Sequence, residues 1–457
     1  MERATRMLAV WAQALNYEDI PRFAVKQAKD QVFGLLAAGL AATTIAPGKT
    51  LLAAVKSWGD KRQATVWGAR FKSSARSAAF ANLVLAQLLE FEDAITPYSH
   101  VGAAIIPTAL AVGEVEKCSG KQLIEAIVVG NEVGGRVGYA AHRGIRMGNA
   151  IPVYQVTVPF VAGKLMRLDL DTYLDGIGGA LAQVQVTLLS GWVSHSKTYL
   201  SAMPVLAGVT AMSVARGGGF TGFHEPLEDP LGYITLVCER PIYEALIAEL
   251  GKVWWTERLV SKAYPVCGWT LAQVEAAIDL AKENDIDPNQ IKEVIVKVPT
   301  QAAMAGTMWL VDKCFENLRT RHDWTYIPLL FELTYPVAAA IVDRELTPRQ
   351  WTEERLFDPL IHDVIKKIRC EADIMLTSAY VNESKLGAVV TINMSDGRLL
   401  EKTIPTVKGA PSRPYDVAEK FRTQAIKIRP KKKVEQAIEM IRNLETVDDV
   451  TALCKLL

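Results

Sequence analysis

A mainly α-helical protein with a smaller α+β domain is the fold class this chain predicts, and three observations predict it. At 457 residues the chain is too long for one simple core, so two domains are expected. Through most of the first 260 residues apolar side chains recur at helical spacing. Strand patterning comes later, with alternation in Ile291–Val298 (IKEVIVKV) and a strand pair at 388–394 and 398–404. Asp396-Gly397 lies between those two runs as hairpin turn residues. The plan is a large helical domain (1–261), an α+β domain (262–412), and a return to helix (413–457).

Taken in order, Ile20-Pro21 opens a helix carrying Val25, Ala28, Val32, Leu35, Leu36 and Leu40 on its apolar stripe. Ser73–Glu92 reads as a second long helix, rich in Ala and Leu. Val101–Gly113 and Gly120–Arg136 follow, the latter capped by Ser119. Glycines on one side of GNEVGGRVGYA (130–140) suit close helix contact. Val158–Arg167 is expected to carry Pro159 in its first turn, and Pro204–Arg216 to end at the glycines of RGGGF as a C-cap. A break at Ser190-Gly191 places Trp192, His195 and Lys197 on a loop. Helices are expected at Thr270–Glu283 and over about 326–344.

Composition narrows the function classes. Half the residues are apolar, 22% are charged, and the formal net charge is +1. A chain so nearly neutral has no long-range field to draw nucleic acid or an anionic membrane. Its one basic run, Arg429-Pro430-Lys431-Lys432-Lys433, reads as the solvated start of a helix. Six cysteines, at 118, 238, 267, 314, 370 and 454, show no C-x-x-C spacing and no zinc-like cluster. Reduced thiols and a cytoplasmic location are the simplest account. The first residues read as an amphipathic helix rather than a signal. No uninterrupted apolar run reaches about 18 residues, so no membrane span is expected.

One stretch concentrates the chemistry: Leu85–Pro107, LAQLLEFEDAITPYSHVGAAIIP. Glu90, Glu92 and Asp93 precede His100 between two apolar segments, within about three helical turns by spacing. Charges wedged between buried segments are costly unless they are paired or used. The order acid, x, acid, acid, a Thr/Pro/Ser loop, His, then Gly-Ala and an apolar helix resembles the signature of the MmgE/PrpD family, a family of dehydratases, decarboxylases and epimerases. The resemblance continues in order along most of the chain. GNEVGGR is similar to the family's G-x-E-V-x-x-R helix. KAYPVCGWTLAQVEAAIDL (262–280) is similar to its K-x-Y-P-x-C segment. TYPVAAAIVDRELTPRQW (334–351) resembles its Tyr-containing helix. LGAVVTINMSDGR and VKGAPSRPYDVAEKF, within 386–421, resemble its strand, D-G-R turn and K-G-x-P loop.

The resemblance implies an all-helical domain with an α+β lid, a homodimer, a small-molecule substrate, no cofactor and no metal, and an active site in the cleft between domains. It places the active-site histidine at His100, the acids at Glu90 and Asp93, and the site lysine at Lys197. Lys262 and Tyr264 take the positions of the lid lysine and tyrosine, and Tyr335 that of the site tyrosine. Two departures stand out. The family's histidine before Pro is absent from RMGNAIPVYQ (146–155), and Leu271 stands at a second histidine position, beside Cys267, Trp269 and Thr270. These changes imply a substrate less anionic and bulkier than a tricarboxylate.

Family reactions move a proton at a carbon next to a carboxylate or carbonyl. They need a base near neutral pKa and donors or cations for the developing enolate. His100 is the residue type that titrates there unaided. Glu90 or Asp93 would orient it, Lys197 and Lys262 would hold a carboxylate, and Tyr264 and Tyr335 would donate to the enolate. His195, Trp192, Trp269 and Cys267 are candidates to line the pocket; for Cys267 a packed thiol is preferred to a nucleophile. The expected activity is a cofactor-free lyase, dehydrating or decarboxylating a small organic acid. The alternatives are an isomerase, epimerase or cyclase using the same proton transfer, and a non-catalytic binding scaffold.

Overall fold

The helical patterning of the first 260 residues becomes helix in the computed structural model, which describes residues 3–96, 99–142, 151–185, 191, 194, 196–308, 311–320 and 326–457. The chain forms two compact units. The first comprises Met1–Leu88, Glu92–Val260 and Asp416–Leu457; the second comprises Leu89–Phe91 and Ser261–Tyr415. The protein is mainly α with a smaller α+β part, as its patterning predicts.

In the first unit the long helices are α1 (Ala4–Ala14), α2 (Arg22–Ala42), α3 (Ala46–Ser57), α4 (Ala75–Gln87), α5 (Gly102–Glu116), α6 (Gly120–Ala140), α7 (Ile151–Leu165), α8 (Leu170–Leu181) and α9 (Ser196–Arg216). Helix α5 sits at the centre. Every residue from Gly102 to Glu114 is buried, which is why its sequence is apolar all round instead of striped. Helices α4, α6 and α7 pack around it. Close approach is built into α6. A Cβ on Gly130 would meet Val161 at 2.7 Å and Ile105 at 2.8 Å, and one on Gly134 would meet Val101 at 2.7 Å. Ser119 caps α6 by a reciprocal exchange. Its hydroxyl accepts from the Gln122 amide at 3.3 Å, and its own amide donates to the Gln122 side chain at 2.9 Å.

Two short strands, β1 (Ala64–Thr65) and β2 (Lys72–Ser73), pair antiparallel, and a third, β3 (Asp93–Ile95), follows α4. The chain leaves the first unit along β4 (Leu259–Ser261). It returns as α13 (Val417–Ala425) and α14 (Lys431–Arg442). Helix α13 packs on α2, with the rings of Phe33 and Phe421 5.8 Å apart.

The second unit holds a four-stranded sheet in the order β6-β5-β7-β8, with β5 Ile291–Val298, β6 Ile368–Ala372, β7 Ala388–Met394 and β8 Leu399–Ile404. Strands β5 and β6 are parallel; β7 pairs antiparallel with β5 and β8. Val294, Val296 and Val298 on β5 and Ala388, Val390 and Ile392 on β7 point into the core. Helix α10 (Leu271–Glu283) covers β7 and β8, and α11 (Thr334–Asp343) packs on α10. Helix α12 (Ile374–Glu383) follows β6.

Several elements differ from their sequence reading. Helix α4 stops at Gln87, before the acids, because Glu90 takes a left-handed φ of 49° that ends any helix. Pro159 and Pro204 sit inside α7 and α9, not in first turns. The expected helix over 326–344 divides into a 3-10 turn, Ile327–Leu330, and α11. Glu332 makes the break. Its carboxylate accepts the first amides of α11, from Thr334 and Tyr335, at 2.8 Å each. Among the described residues one helix, α9, is long and apolar enough to cross a membrane by length and composition, and half of that window is buried in the protein.

Candidate active site

The stretch that follows α4 is not the helix end its sequence suggests. Strand β3 begins at Asp93, and Ile95 and Ser99 exchange both backbone hydrogen bonds, 2.7 and 2.9 Å. That bridge folds the chain back on itself and fixes where His100 emerges. Asp93 is buried, yet both its oxygens are met by donors. Its Oδ1 accepts the Gly102 amide at 2.9 Å, and its Oδ2 accepts Gln31 Nε2 at 2.7 Å. Gly102 is the first residue of α5, so the carboxylate lies at the positive end of a helix. A side chain at that position is excluded: a Cβ on Gly102 would lie 2.1 Å from Asp93 Oδ2.

Burial dominates the ionisation of Asp93 all the same. It pushes the carboxyl up to about 6, against the Gln31 and Gly102 hydrogen bonds that lower it; Glu92 adds to the rise and His100 opposes it. His100 is partly exposed, its side chain 24% accessible. Its Nδ1 lies 3.3 Å from the Asp93 carbonyl oxygen and 3.6 Å from Glu92 Oε1. Both neighbours are acceptors, so the neutral ring carries its proton on Nδ1 and its lone pair on Nε2. This is the tautomer a general base needs when its rear nitrogen is anchored.

Around this core the structure adds residues that the sequence did not single out. Tyr154, on α7, is fully buried; its hydroxyl accepts from Gln87 Nε2 at 2.7 Å. Burial, then the charges of Glu92 and Asp93, push its phenol well above the ordinary range. Gln31 and Asn131 form a reciprocal carboxamide pair behind Asp93. Polar residues inside apolar helix faces were the available signal, since such groups are buried only with partners. Arg136 and Glu132, within the segment likened to the family's α6 motif, have structural partners. Arg136 donates to the carbonyls of Ala248, Glu249 and Val253, while Glu132 accepts from Trp255 and Thr256.

Lys197 is the second residue of α9 and is buried, not on a loop. Trp192 and His195 lie outside the described residues, as does 143–150, which includes the first half of the segment lacking the family's histidine.

In the second unit Lys262 and Glu90 form an ion pair, Nζ to Oε2 3.0 Å, with both side chains 1% exposed. The Tyr415 hydroxyl donates to the Lys262 carbonyl at 3.0 Å. Tyr264 is partly exposed, and burial, then Glu275 and Asp279, push its phenol up. Cys267 is buried, its amide bonded to the Leu330 carbonyl at 2.9 Å. Trp269 packs on Tyr380, ring centroids 5.1 Å apart. Tyr335 is wholly buried. Its hydroxyl donates to the Gln350 carbonyl, and its ring packs against Trp351 and Phe315. In this geometry Tyr335 acts as a core residue. Among the described residues no group of three or more His, Cys, Asp and Glu side chains is placed to hold a metal ion.

A mainly helical chain whose α+β part is inserted before its last helices, with an acid and an imidazole on one loop, is an arrangement able to support acid–base chemistry. The chain belongs to the MmgE/PrpD family. Residues 6–245 match the family's N-terminal domain and residues 264–446 its C-terminal domain. It is 24% identical to the cis-aconitate decarboxylase of Aspergillus terreus, over 99% of this chain and 95% of that protein. It is 21% identical to the cis-aconitate decarboxylase of Mus musculus, over 100% and 94%, and 21% identical to that of Homo sapiens, over 100% and 95%.

Proposed function

We propose that the protein is a lyase that moves a proton at the carbon beside a carboxylate of a small organic acid, by decarboxylation or dehydration, with His100 as the acid–base residue. The observation that carries this reading is the seating of His100, whose Nδ1 faces the Asp93 carbonyl and the Glu92 carboxylate. The family relatives that are cis-aconitate decarboxylases support the reaction class. In a dehydration Nε2 takes the α-proton, the electron pair forms the double bond and hydroxide leaves. In a decarboxylation the carbon–carbon pair stays on the substrate as carbon dioxide departs, and protonated Nε2 returns a proton to that carbon. Glu92 and Asp93 stabilise the imidazolium, which forms in the dehydration and is the starting state in the decarboxylation. Lys197 is assigned to the substrate carboxylate as a buried point charge. Lys262 is already neutralised by Glu90, so it is not assigned that role.

A second reading keeps only the proton transfer, as an isomerase would. It is favoured by Leu271, a buried apolar residue at the start of α10 where the family resemblance leads one to look for histidine.

Incubation with di- and tricarboxylic acids, cis-aconitate among them, in D2O separates these readings. A lyase gives label uptake with a change of product mass, and an isomerase gives uptake alone. A scaffold gives neither. Replacing His100 by Ala is expected to lower exchange by a factor of at least about 100. An unchanged rate removes His100 from the mechanism.

A further inference from the structure

Behind Asp93 lies a polar cluster that the reaction scheme does not use. Gln31 on α2 and Asn131 on α6 are both buried, within helix faces that are otherwise apolar. Their carboxamides bond to each other twice: Gln31 Nε2 to Asn131 Oδ1 at 3.1 Å, and Asn131 Nδ2 to Gln31 Oε1 at 3.0 Å. The pairing fixes which end of each amide is which. Rotating either amide by half a turn would set oxygen against oxygen and nitrogen against nitrogen. Gln31 is left with one N–H to give, and it goes to Asp93 Oδ2 at 2.7 Å.

We infer that Gln31, clasped by Asn131, is a positioning residue that keeps Asp93 ionised and oriented beside His100. The inference rests on the proton-transfer reading above for its catalytic consequence, though not for its structural content. Asp93 receives donors on both oxygens, the Gln31 carboxamide and the first amide of α5. A protonated carboxyl would turn an O–H toward one of them and lose that bond. Asp93 also presents its own carbonyl to His100 Nδ1, so the side-chain bonds that immobilise Asp93 immobilise the anchor of the imidazole. The charged and titratable neighbours of Asp93 are Glu92, His100 and the phenol of Tyr154. On the other elements packed against β3, Asp30 of α2 pairs with Lys26, and Glu257 and Arg258 of the 3-10 turn that precedes β4 are exposed. Without the Gln31 donor, burial and the Glu92 charge act on Asp93 with one opponent fewer. Its carboxyl then keeps its proton to higher pH.

Two measurements on the full-length protein test this. The Asp93 carboxyl is titrated by carbon-13 NMR of aspartate-labelled protein, assigned with Asp93→Asn, and the pH profile of substrate deuterium exchange is recorded alongside. Gln31→Leu removes the donor at similar volume and is expected to raise the Asp93 titration by about one pH unit, the worth of one hydrogen bond to a charged group. The acid limb of the exchange profile is expected to move with it. Asn131→Ala frees the Gln31 amide to rotate and is expected to give a smaller rise in the same direction, which provides the reading if Gln31→Leu fails to fold. An Asp93 titration that neither substitution moves overturns the inference, whatever the exchange rates do. A titration that moves while the exchange limb stays in place overturns its catalytic part. If the titration moves in a protein that exchanges no acid at all, the Gln31 assignment stands and the proton-transfer reading falls.

Discussion

At the scale of single residues, Asp93 holds energy that the fold does not need. Its carboxyl titrates at about 6 in the protein against an ordinary 3.8, chiefly because it is buried. As pH rises through that window the unfolded chain releases its proton first, so stability falls. The penalty is absent below about pH 4, fully present above about pH 6, and on the order of 3 kcal/mol. Asp93→Asn is therefore expected to be more stable than the parent at pH 8 and less stable than it near pH 4, by about 1 kcal/mol there, in urea titrations at both values. The gain should be about 1–2 kcal/mol, since an amide oxygen can serve only one of the two donors on its own side. Exchange activity should be lost in the same variant. Glu90 and Lys262 behave oppositely. Removing one partner of a buried pair strands the other charge, so Lys262→Met is expected to cost about 3–5 kcal/mol. Pairing it with Glu90→Gln should recover most of that in equilibrium denaturation; a double variant as unstable as the single would show that the pair is not what Lys262 contributes.

At the scale of elements, α5 fits closely against Asp93. Gly102→Ala places a methyl group 2.1 Å from the carboxylate oxygen, so either the helix start or the acid must move. The expected result is a loss of exchange of at least about tenfold, with a lowered melting temperature. An alanine variant with parental exchange would mean that the orientation of Asp93 does not matter to the chemistry. Elements were also where the sequence read best and worst. Strand β5 was legible because Val294, Val296 and Val298 recur at every second position and only their face is fully buried. Strand β6, Ile368–Ala372, was not. It is an edge strand with no fully buried residue, so it carries no period-two signal. The helix Pro rule misplaced two starts, since Pro159 and Pro204 are tolerated mid-helix where the surrounding turns are buried by tertiary packing. Within the candidate site, the acid-and-His stretch was visible because charges between apolar runs need a reason. Each member of the Gln31–Asn131 clasp stood out as a polar residue on an apolar helix face, but nothing in the sequence joined the two across 100 residues. Glu90 had no signal for its left-handed backbone either, and its partner Lys262 lies 172 residues away.

At the scale of the whole molecule, the first unit is assembled from both ends of the chain. Its last helices dock where Gly120 opens α6: the Gly120 amide donates to the Val447 carbonyl at 2.7 Å, and a Cβ there would lie 1.6 Å from the Leu444 carbonyl oxygen. Gly120→Val is expected to pry the C-terminal segment loose, lowering the melting temperature by several degrees and exposing residues beyond 430 to protease. Unaltered proteolysis would show that the docking tolerates the side chain. The seating of Phe421 on Phe33 joins residues nearly four hundred positions apart. During synthesis at about 5–20 residues per second, the apolar flank of α2 must therefore wait tens of seconds for the strip of chain that will cover it. Throughout that wait the nascent protein shows an oily seam to solvent or to any chaperone that meets it, and a polypeptide released before residue 417 would keep that seam open for good.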